Sequence, residues 1–91
     1  MGTPHIIKYK NGDMYTGNLD GNIKNGKGCM HYNNGDIYVG VWKGDNNNGM
    51  GVMIYENGDR YEGTFDSGMR SGYGILRDVE GGRYEGEWKN G

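Results

Sequence analysis

The chain has 91 residues, a formal net charge of −2, and 20 glycines against a single proline. A chain of this length forms at most one small domain, with little room for a two-layer core, and its glycine content disfavours helices. Residues 1–43 carry five lysines against three aspartates, whereas residues 44–91 carry five basic against nine acidic residues. This balance is too weak for a nucleic-acid-binding surface, so we expect no nucleic acid partner. The 11 aromatic residues argue against a disordered chain.

The N-terminal sequence MGTPHIIKYK lacks the apolar core of a signal peptide. No run of the chain approaches the roughly 18 apolar residues of a membrane-spanning helix. The chain begins with Met-Gly, but Ile6 stands where a myristoylation signal requires serine or threonine. The single Cys29 excludes an intramolecular disulfide and is typical of a reducing compartment. We therefore expect a cytoplasmic protein.

The chain repeats itself every 23 residues, which is the signature of a repeat architecture. YKNGDMYTG at 9–17 recurs as YNNGDIYVG at 32–40, as YENGDRYEG at 55–63 and more loosely as DVEGGRYEG at 78–86. Four columns keep one register through all four copies: Gly12, Gly35, Gly58 and Gly81; Tyr15, Tyr38, Tyr61 and Tyr84; Gly17, Gly40, Gly63 and Gly86; and Leu19, Trp42, Phe65 and Trp88.

Each repeat contains two segments in which residue type alternates with a period of two, which is typical of strands. In the repeat 38–60 these segments are YVGVW at 38–42 and GMGVMIY at 49–55. The intervening KGDNNN at 43–48 is rich in turn-forming residues and predicts a linker.

The second strand of this repeat is followed by the turn sequence ENGD. A three-residue loop over 56–58, with Gly58 in the left-handed region, gives a hairpin with a glycine bulge. That register places Met53 opposite Tyr61. A two-residue turn over 57–58 is the alternative, and it moves Tyr61 to the opposite face. We favour the bulged turn because it collects the tyrosines, the glycines and the large apolar residues on one face.

These elements predict an all-β fold: an elongated, single-layer, twisted antiparallel sheet of stacked β-hairpins, in which each repeat contacts mainly its neighbours. Glycine weakens a strand, so the glycine columns predict that aromatic rings lie close against the backbone there. A single layer leaves one side of such rings open, so we expect an aromatic groove that accepts an extended peptide or a helix. Its candidate residues are Tyr15, Tyr38, Trp42, Tyr61, Phe65, Tyr84 and Trp88.

The sequences YVGVWKGDNNNGMGVMIYENGDR and YEGTFDSGMRSGYGILRDVEGGR closely resemble the MORN (membrane occupation and recognition nexus) repeat. Its hallmark is similar to Tyr-Glu-Gly-x-Trp, followed by Gly-x-Gly and then Asn-Gly-Asp. Here Leu19 and Phe65 replace the tryptophan, and DVEGG replaces the last turn. The resemblance predicts one array over residues 1–91, with half repeats at 5–14 and 84–91 and full repeats at 15–37, 38–60 and 61–83.

The stretch GDNNNG and its neighbours raise the question of calcium binding. Asp45, Asn47 and Glu56 occupy the first, third and twelfth places of an EF-hand loop. However, Met50 stands where that loop requires glycine, and neither flank reads as a helix. The sequence therefore disfavours calcium.

No other pattern predicts a cofactor, a metal or a catalytic site. The Gly-x-Gly pairs lack the third glycine of a dinucleotide-binding loop. His5 and His31 have no partners at metal-ligand spacing. Glu62 and Glu85 occupy the same position in successive repeats. This recurrence is better explained by exposure to solvent than by the pair of catalytic carboxylates that a glycosidase requires. Since no nucleophile, base and orienting group come together, we do not expect an enzyme.

The leading hypothesis is a non-catalytic scaffold that binds a protein or peptide partner. The resemblance implies that such arrays tether partners at membranes or the cytoskeleton, and that some lie beside a catalytic domain such as a lipid kinase or a methyltransferase. A phospholipid-binding module and a regulatory segment of a larger enzyme are the alternatives. Lipid affinity needs clustered basic residues, whereas Arg60, Arg70, Arg77 and Arg83 are interspersed with acids, so we expect it to be weak.

The strand predicted at Tyr84 to Trp88 presents an open edge, and open edges pair with other chains. We therefore predict either a segment of a longer array or end-to-end self-association.

Overall fold

The computed structural model describes residues 4–89, and all regular structure in that range is β-strand. The strands form one antiparallel sheet in which each strand pairs with its neighbours in sequence. The predicted all-β sheet of consecutive hairpins is confirmed. The eight strands are β1 (His5–Lys8), β2 (Met14–Asp20), β3 (Ile23–His31), β4 (Ile37–Lys43), β5 (Asn46–Ile54), β6 (Arg60–Asp66), β7 (Met69–Arg77) and β8 (Arg83–Trp88).

The short turns have the predicted three-residue geometry. Between β5 and β6, the Tyr55 amide donates to the Asp59 carbonyl at 2.8 Å, and the Gly58 amide donates back to the Tyr55 carbonyl at 2.8 Å. Gly58 has a φ of 98°, the left-handed conformation that glycine adopts without a steric penalty. Met53 consequently lies opposite Tyr61, so the bulged register is confirmed and the two-residue alternative is wrong.

The fourth short turn keeps this geometry although its sequence, DVEGG, departs from the repeat. The Gly81 amide donates to the Asp78 carbonyl at 3.2 Å, and Gly81 has a φ of 94°. The left-handed glycine therefore fixes the turn, and the residues around it can change.

The connection between β4 and β5 is shorter than the predicted linker over 43–48, which is a correction to the sequence analysis. Only Gly44 and Asp45 form the turn, and both have positive φ values, 56° and 71°. Two such residues form the tight turn that matches the twist of a hairpin. The asparagines that follow belong to β5, and Asn47 is only 6% exposed.

Each of the three long hairpins is irregular beside a glycine. The register shifts between Gly17 and Leu19, between Gly40 and Trp42, and between Gly63 and Phe65. Bulges of this kind bend strands. Lys24 lies beside the end of β2 and Tyr9 lies just before its start, yet the Lys24 ammonium bonds the Tyr9 hydroxyl at 3.2 Å across the face that carries the aromatic rings. The strands therefore bend, and we call the inside of the bend the ring face and the outside the outer face.

Candidate functional site

The seven aromatic residues predicted from the sequence lie on the ring face and form one continuous chain of edge-to-face contacts. Neighbouring ring centroids are 5.0 to 5.5 Å apart, and the ring planes cross at 83° to 88°. This is a favourable geometry for aromatic pairs. The prediction that the rings share one face is confirmed. Their order in the chain of contacts is Tyr15, Trp42, Tyr38, Phe65, Tyr61, Trp88 and Tyr84.

The tyrosine rings lie directly on glycines, as the sequence predicted. A Cβ atom at Gly51 would come within 2.4 Å of the Tyr38 hydroxyl and 2.6 Å of its ring carbons. The ring reaches along its own strand, where the Tyr38 hydroxyl donates to the Val41 carbonyl at 2.9 Å. Tyr15 lies in the same way on Gly28. Glycine is thus the residue that makes room for the core.

The expectation that one side of these rings stays open is wrong for five of the seven. Tyr15, Tyr38 and Tyr61 are 0% exposed, and Trp42 and Phe65 are 3% and 4% exposed. Their surroundings include half-buried apolar side chains on the same face, which the bent hairpins bring together. These five rings form the core of the domain rather than a surface. On the last strand, Tyr84 remains 50% exposed and Trp88 is half-buried; partner binding at the ring face stays a prediction.

A column of polar side chains crosses the ring face, and the sequence analysis missed it. The Lys24 ammonium lies 5.3 Å from the Tyr9 ring centroid and 5.4 Å from that of Trp42. It also bonds the Tyr9 hydroxyl and the Asp45 carboxylate, each at 3.2 Å. Burial disfavours the ammonium charge, but these two bonds outweigh it and raise the pKa of Lys24.

The same position in the next two repeats has the same role. The buried Asn47 side chain interacts with Tyr32, and the Arg70 guanidinium lies 4.4 Å from the Trp88 ring centroid and 5.9 Å from that of Tyr55. Each side chain therefore joins the tip of a long hairpin to the tyrosine before a short turn. Lys24, Asn47 and Arg70 are 23 residues apart, and this spacing was the sequence signal that could have identified the column. The three side chains differ in chemistry, which hid the pattern.

The short turns are also linked to one another. Asp36 accepts a hydrogen bond from the Glu56 amide, in the next turn along the array, at 2.8 Å. Asp13 accepts in the same way from Asn33 at 2.7 Å. The turn aspartates therefore join successive hairpins, whereas the sequence suggested only turn formation and solvent exposure.

The outer face carries an open groove of about 670 Å³. Its apolar side chains come mainly from the hairpin β4–β5, on both sides of a floor formed by glycine backbone. Val39 and Met50 are 47% and 62% exposed. Lys27 on β3 and Glu62 on β6 also line the groove, one on each side of this hairpin. The apolar side chains are Pro4, Cys29, Val39, Val41, Met50 and Val52.

The groove arises from a departure within the repeat. Val39, Val41, Met50 and Val52 occupy positions where the following repeat has Glu62, Thr64, Tyr73 and Ile75. An antiparallel sheet with one solvated face normally alternates apolar and polar residues. The run VGV, with valines facing away from Tyr38 and Trp42, was the sequence signal for an outer apolar patch.

Three of the four arginines that are scattered through the sequence meet on the outer face, which is a second correction. Arg77 pairs in register with Arg60 on β6 and with Arg83 on β8. Two of the three are neutralised within their own strands, because Arg60 bonds Glu62 at 3.1 Å and Arg83 bonds Glu85 at 2.6 Å. The row is therefore only weakly basic.

The calcium-ligand candidates do not come together. Asp45 lies in the turn before β5 and Glu56 lies in the turn after it, at opposite ends of a nine-residue strand. Within residues 4–89, no group of three acidic, histidine or cysteine residues is placed to hold a metal ion. Cys29 is half-buried at the groove, and this burial raises the pKa of its thiol, which lowers its reactivity.

The sequence model of the MORN repeat matches residues 15–37, 38–60, 61–83 and 84–91. No curated protein matches the chain. In the part of the chain that the structure covers, no helix could cross a membrane.

Proposed function

The chain belongs to the MORN repeat family, and we propose that it is a non-catalytic protein-binding module whose contact surface is the groove on the outer face. MORN repeats are generally involved in interactions with proteins or membranes, and they are generally not catalytic. Five of the seven aromatic residues predicted to bind a partner are buried, so we expect the partner to contact the side chains of the groove instead.

The observation that carries this proposal is the exposure of the apolar side chains of one hairpin. Val39 and Met50 each leave about half or more of their surface in water. The ring face already contains the core, so folding does not require apolar residues on the outer face. Contiguous apolar surface that folding does not need marks an interaction site in a protein of this kind.

Weak binding of anionic phospholipid is the second candidate, and the row of Arg60, Arg77 and Arg83 supports it. Each basic residue near an anionic surface contributes about 1 kcal/mol. Glu62 and Glu85 offset two of the three charges. We therefore rank lipid below protein as the ligand.

The test is selection of peptides from a random display library on the immobilised chain, followed by binding measurements with two variants. Met50→Asp introduces a charge in the groove. Val79→Asp introduces the same charge at an equally exposed apolar residue in the fourth short turn, since both side chains are 62% exposed. We expect Met50→Asp to abolish binding of the selected peptides and Val79→Asp to leave it unchanged.

Amide chemical shifts identify the surface directly. If the peptides shift Val39 and Val52, the groove is the contact surface. If they shift only Tyr84 and Trp88, or if the two variants bind alike, the proposal is refuted.

A further inference from the structure

β8 is an edge strand of the sheet that the structure describes, and it carries the most exposed tyrosine of the repeat column. Within residues 4–89, β8 pairs only with β7, so its other edge has no strand partner. Tyr84 is 50% exposed, whereas the equivalent Tyr15, Tyr38 and Tyr61 are 0% exposed. An unpaired edge of this kind accepts an added strand.

The three buried tyrosines show what such a strand must carry. In each long hairpin, the tyrosine ring lies over a glycine of the following strand: Gly28, Gly51 or Gly74. A Cβ atom at any of these glycines would come within 2.2 to 2.4 Å of the tyrosine hydroxyl. The first glycine of each Gly-x-Gly pair has a φ of 72° to 95°, a backbone conformation that other residues rarely adopt. Both glycines are therefore required in a strand that covers the tyrosine.

Tyr84 already has the orientation of its buried equivalents. Its hydroxyl donates to the Glu87 carbonyl at 3.3 Å, as the Tyr38 hydroxyl donates to the Val41 carbonyl at 2.9 Å. The glycine beneath each buried ring pairs in register with the glycine two residues after the tyrosine, and the equivalent residue on β8 is Gly86. A strand added to β8 in this register must therefore place glycine opposite Gly86.

We propose that the open edge of β8 binds an extended segment of another protein that carries the sequence Gly-Lys-Gly-x-Met and runs antiparallel to β8. The register of the long hairpins places the second glycine of this segment opposite Gly86 and its methionine opposite Tyr84. The array itself has methionine or leucine at the latter position, in Met30, Met53 and Leu76. The segment covers the exposed ring and completes the backbone pairing of the edge. This inference does not rest on the proposed function, because the edge and the groove are different surfaces.

The lysine of the segment follows from the charge of the edge. Glu85 and Glu87 are exposed on the outer face of β8, and the register places the residue between the two glycines next to them. Glu85 already bonds Arg83 at 2.6 Å, so Glu87 is the carboxylate with which the lysine pairs. Opposite charges on neighbouring strands are favourable. β3 provides an example of the whole sequence, GKGCM at 26–30.

A second copy of this chain does not offer a suitable strand. Its strands β2 to β7 are paired on both sides. In the repeat register, its β1 would bring His5 to the position of the glycine beneath the ring, where the side chain collides with Tyr84. Its β8, with Gly86 facing Gly86, would place Glu85 opposite Glu87 twice, and like charges directly opposite each other are destabilising. The segment therefore belongs to another protein.

The test is a titration of the full chain with a synthetic peptide, followed through amide chemical shifts. The peptide has the sequence of β3, residues 23–31, with Cys29→Ser to prevent oxidation. We expect shifts along β8 and no shift of Val39 in the groove. In the peptide, Gly28→Ala should weaken binding about tenfold or more, because the added methyl group overlaps with the ring of Tyr84. Cys29→Thr is the matched control, since it adds a methyl group to the serine peptide at an outer-face position, and we expect no change.

Gly86→Ala tests the same contact from the side of the protein. A Cβ atom at the equivalent Gly40 would lie 2.5 Å from the Cα atom of Gly51, so alanine at this position leaves no room for the glycine of the peptide. We expect Gly86→Ala to stay folded by circular dichroism and to bind the peptide about tenfold more weakly or worse. Glu87→Lys should also weaken binding, and Lys27→Glu in the peptide should restore it.

Absence of shifts along β8 at millimolar peptide overturns the inference, and so do shifts confined to the groove. Equal binding of the parent peptide and its Gly28→Ala variant overturns it as well, because pairing would then not depend on the covered ring. Charge reversal that fails to restore binding overturns the assignment of the lysine. If Gly86→Ala does not fold, the comparison of the two peptides still decides the question.

Discussion

Replacing Gly40 with alanine should destabilise the domain severely, although it adds only one methyl group. A Cβ atom at Gly40 would lie 2.5 Å from the Cα atom of Gly51, 2.6 Å from the Met50 carbonyl oxygen and 2.8 Å from the Tyr38 hydroxyl. Two of these atoms belong to the backbone of the neighbouring strand, which cannot move away as a flexible side chain can. Relief therefore requires β4 and β5 to separate or the core tyrosine to leave its position.

The expected cost follows from two opposing effects. Overpacking a well-packed core costs about 1–3 kcal/mol and sometimes more, and contacts with backbone place this site near the upper end. Alanine also restricts the unfolded chain more than glycine does, which offsets about 0.4–1 kcal/mol. We expect a net loss of about 2 kcal/mol. In a domain of this size, that lowers the melting temperature by about 8–16 °C.

Gly86→Ala is the matched control, because Gly86 occupies the same repeat position on β8. The three atoms nearest to its added Cβ atom all belong to the side chain of Tyr84, the closest being the hydroxyl at 3.0 Å, and that residue is 50% exposed. The measurement is thermal unfolding followed by far- and near-ultraviolet circular dichroism. Equal melting temperatures for Gly40→Ala and Gly86→Ala would refute the conclusion that the glycine column is packing space.

Three other changes and one binding measurement test the remaining physical claims. Trp42→Ala should cost about 3–5 kcal/mol, because its buried ring contacts both Tyr15 and Tyr38; an unchanged denaturation midpoint contradicts this. Asp36→Ala should cost about 1 kcal/mol and speed hydrogen exchange at the Glu56 amide, since the link between two turns is lost; unchanged exchange there contradicts it. Raising the pH should destabilise the fold, because burial raises the pKa of Tyr38 from 10.0 to about 12. Its contribution is complete below pH 10 and is lost as the pH rises through 12, so a melting temperature constant over this window contradicts the assignment. Binding to anionic vesicles should be weak and lost at high salt, since exposed charges are screened beyond about 8 Å at physiological ionic strength; tight flotation at high salt contradicts it.

The sequence alone determined the all-β sheet and the register of its short hairpins, because that information is local and repeated; it did not determine the two-residue turn of the long hairpin β4–β5. Gly58 needs a left-handed conformation that few other residues adopt, and this single requirement sets the length of the turn. Once the turn length is fixed, strand alternation decides which residues face the core. The recurrence of Tyr38 and Trp42 at fixed spacing then gives the ring face without any knowledge of packing.

Only the tertiary structure decided how deeply the rings are buried and which surface remains open. The sequence predicted a twisted single-layer sheet, and such a layer was expected to leave one side of the rings open. The bulges beside Gly17, Gly40 and Gly63 bend the long hairpins, and the bend lets Lys24 and Arg70 reach rings near the opposite ends of the strands. These contacts join a strand residue to a tyrosine 15 positions earlier that precedes a short turn, so no local pattern encodes them. Five of the seven aromatic residues that the sequence offered as a binding site therefore form the core on the ring face. The candidate site is instead the set of apolar side chains on the outer face of the same strands.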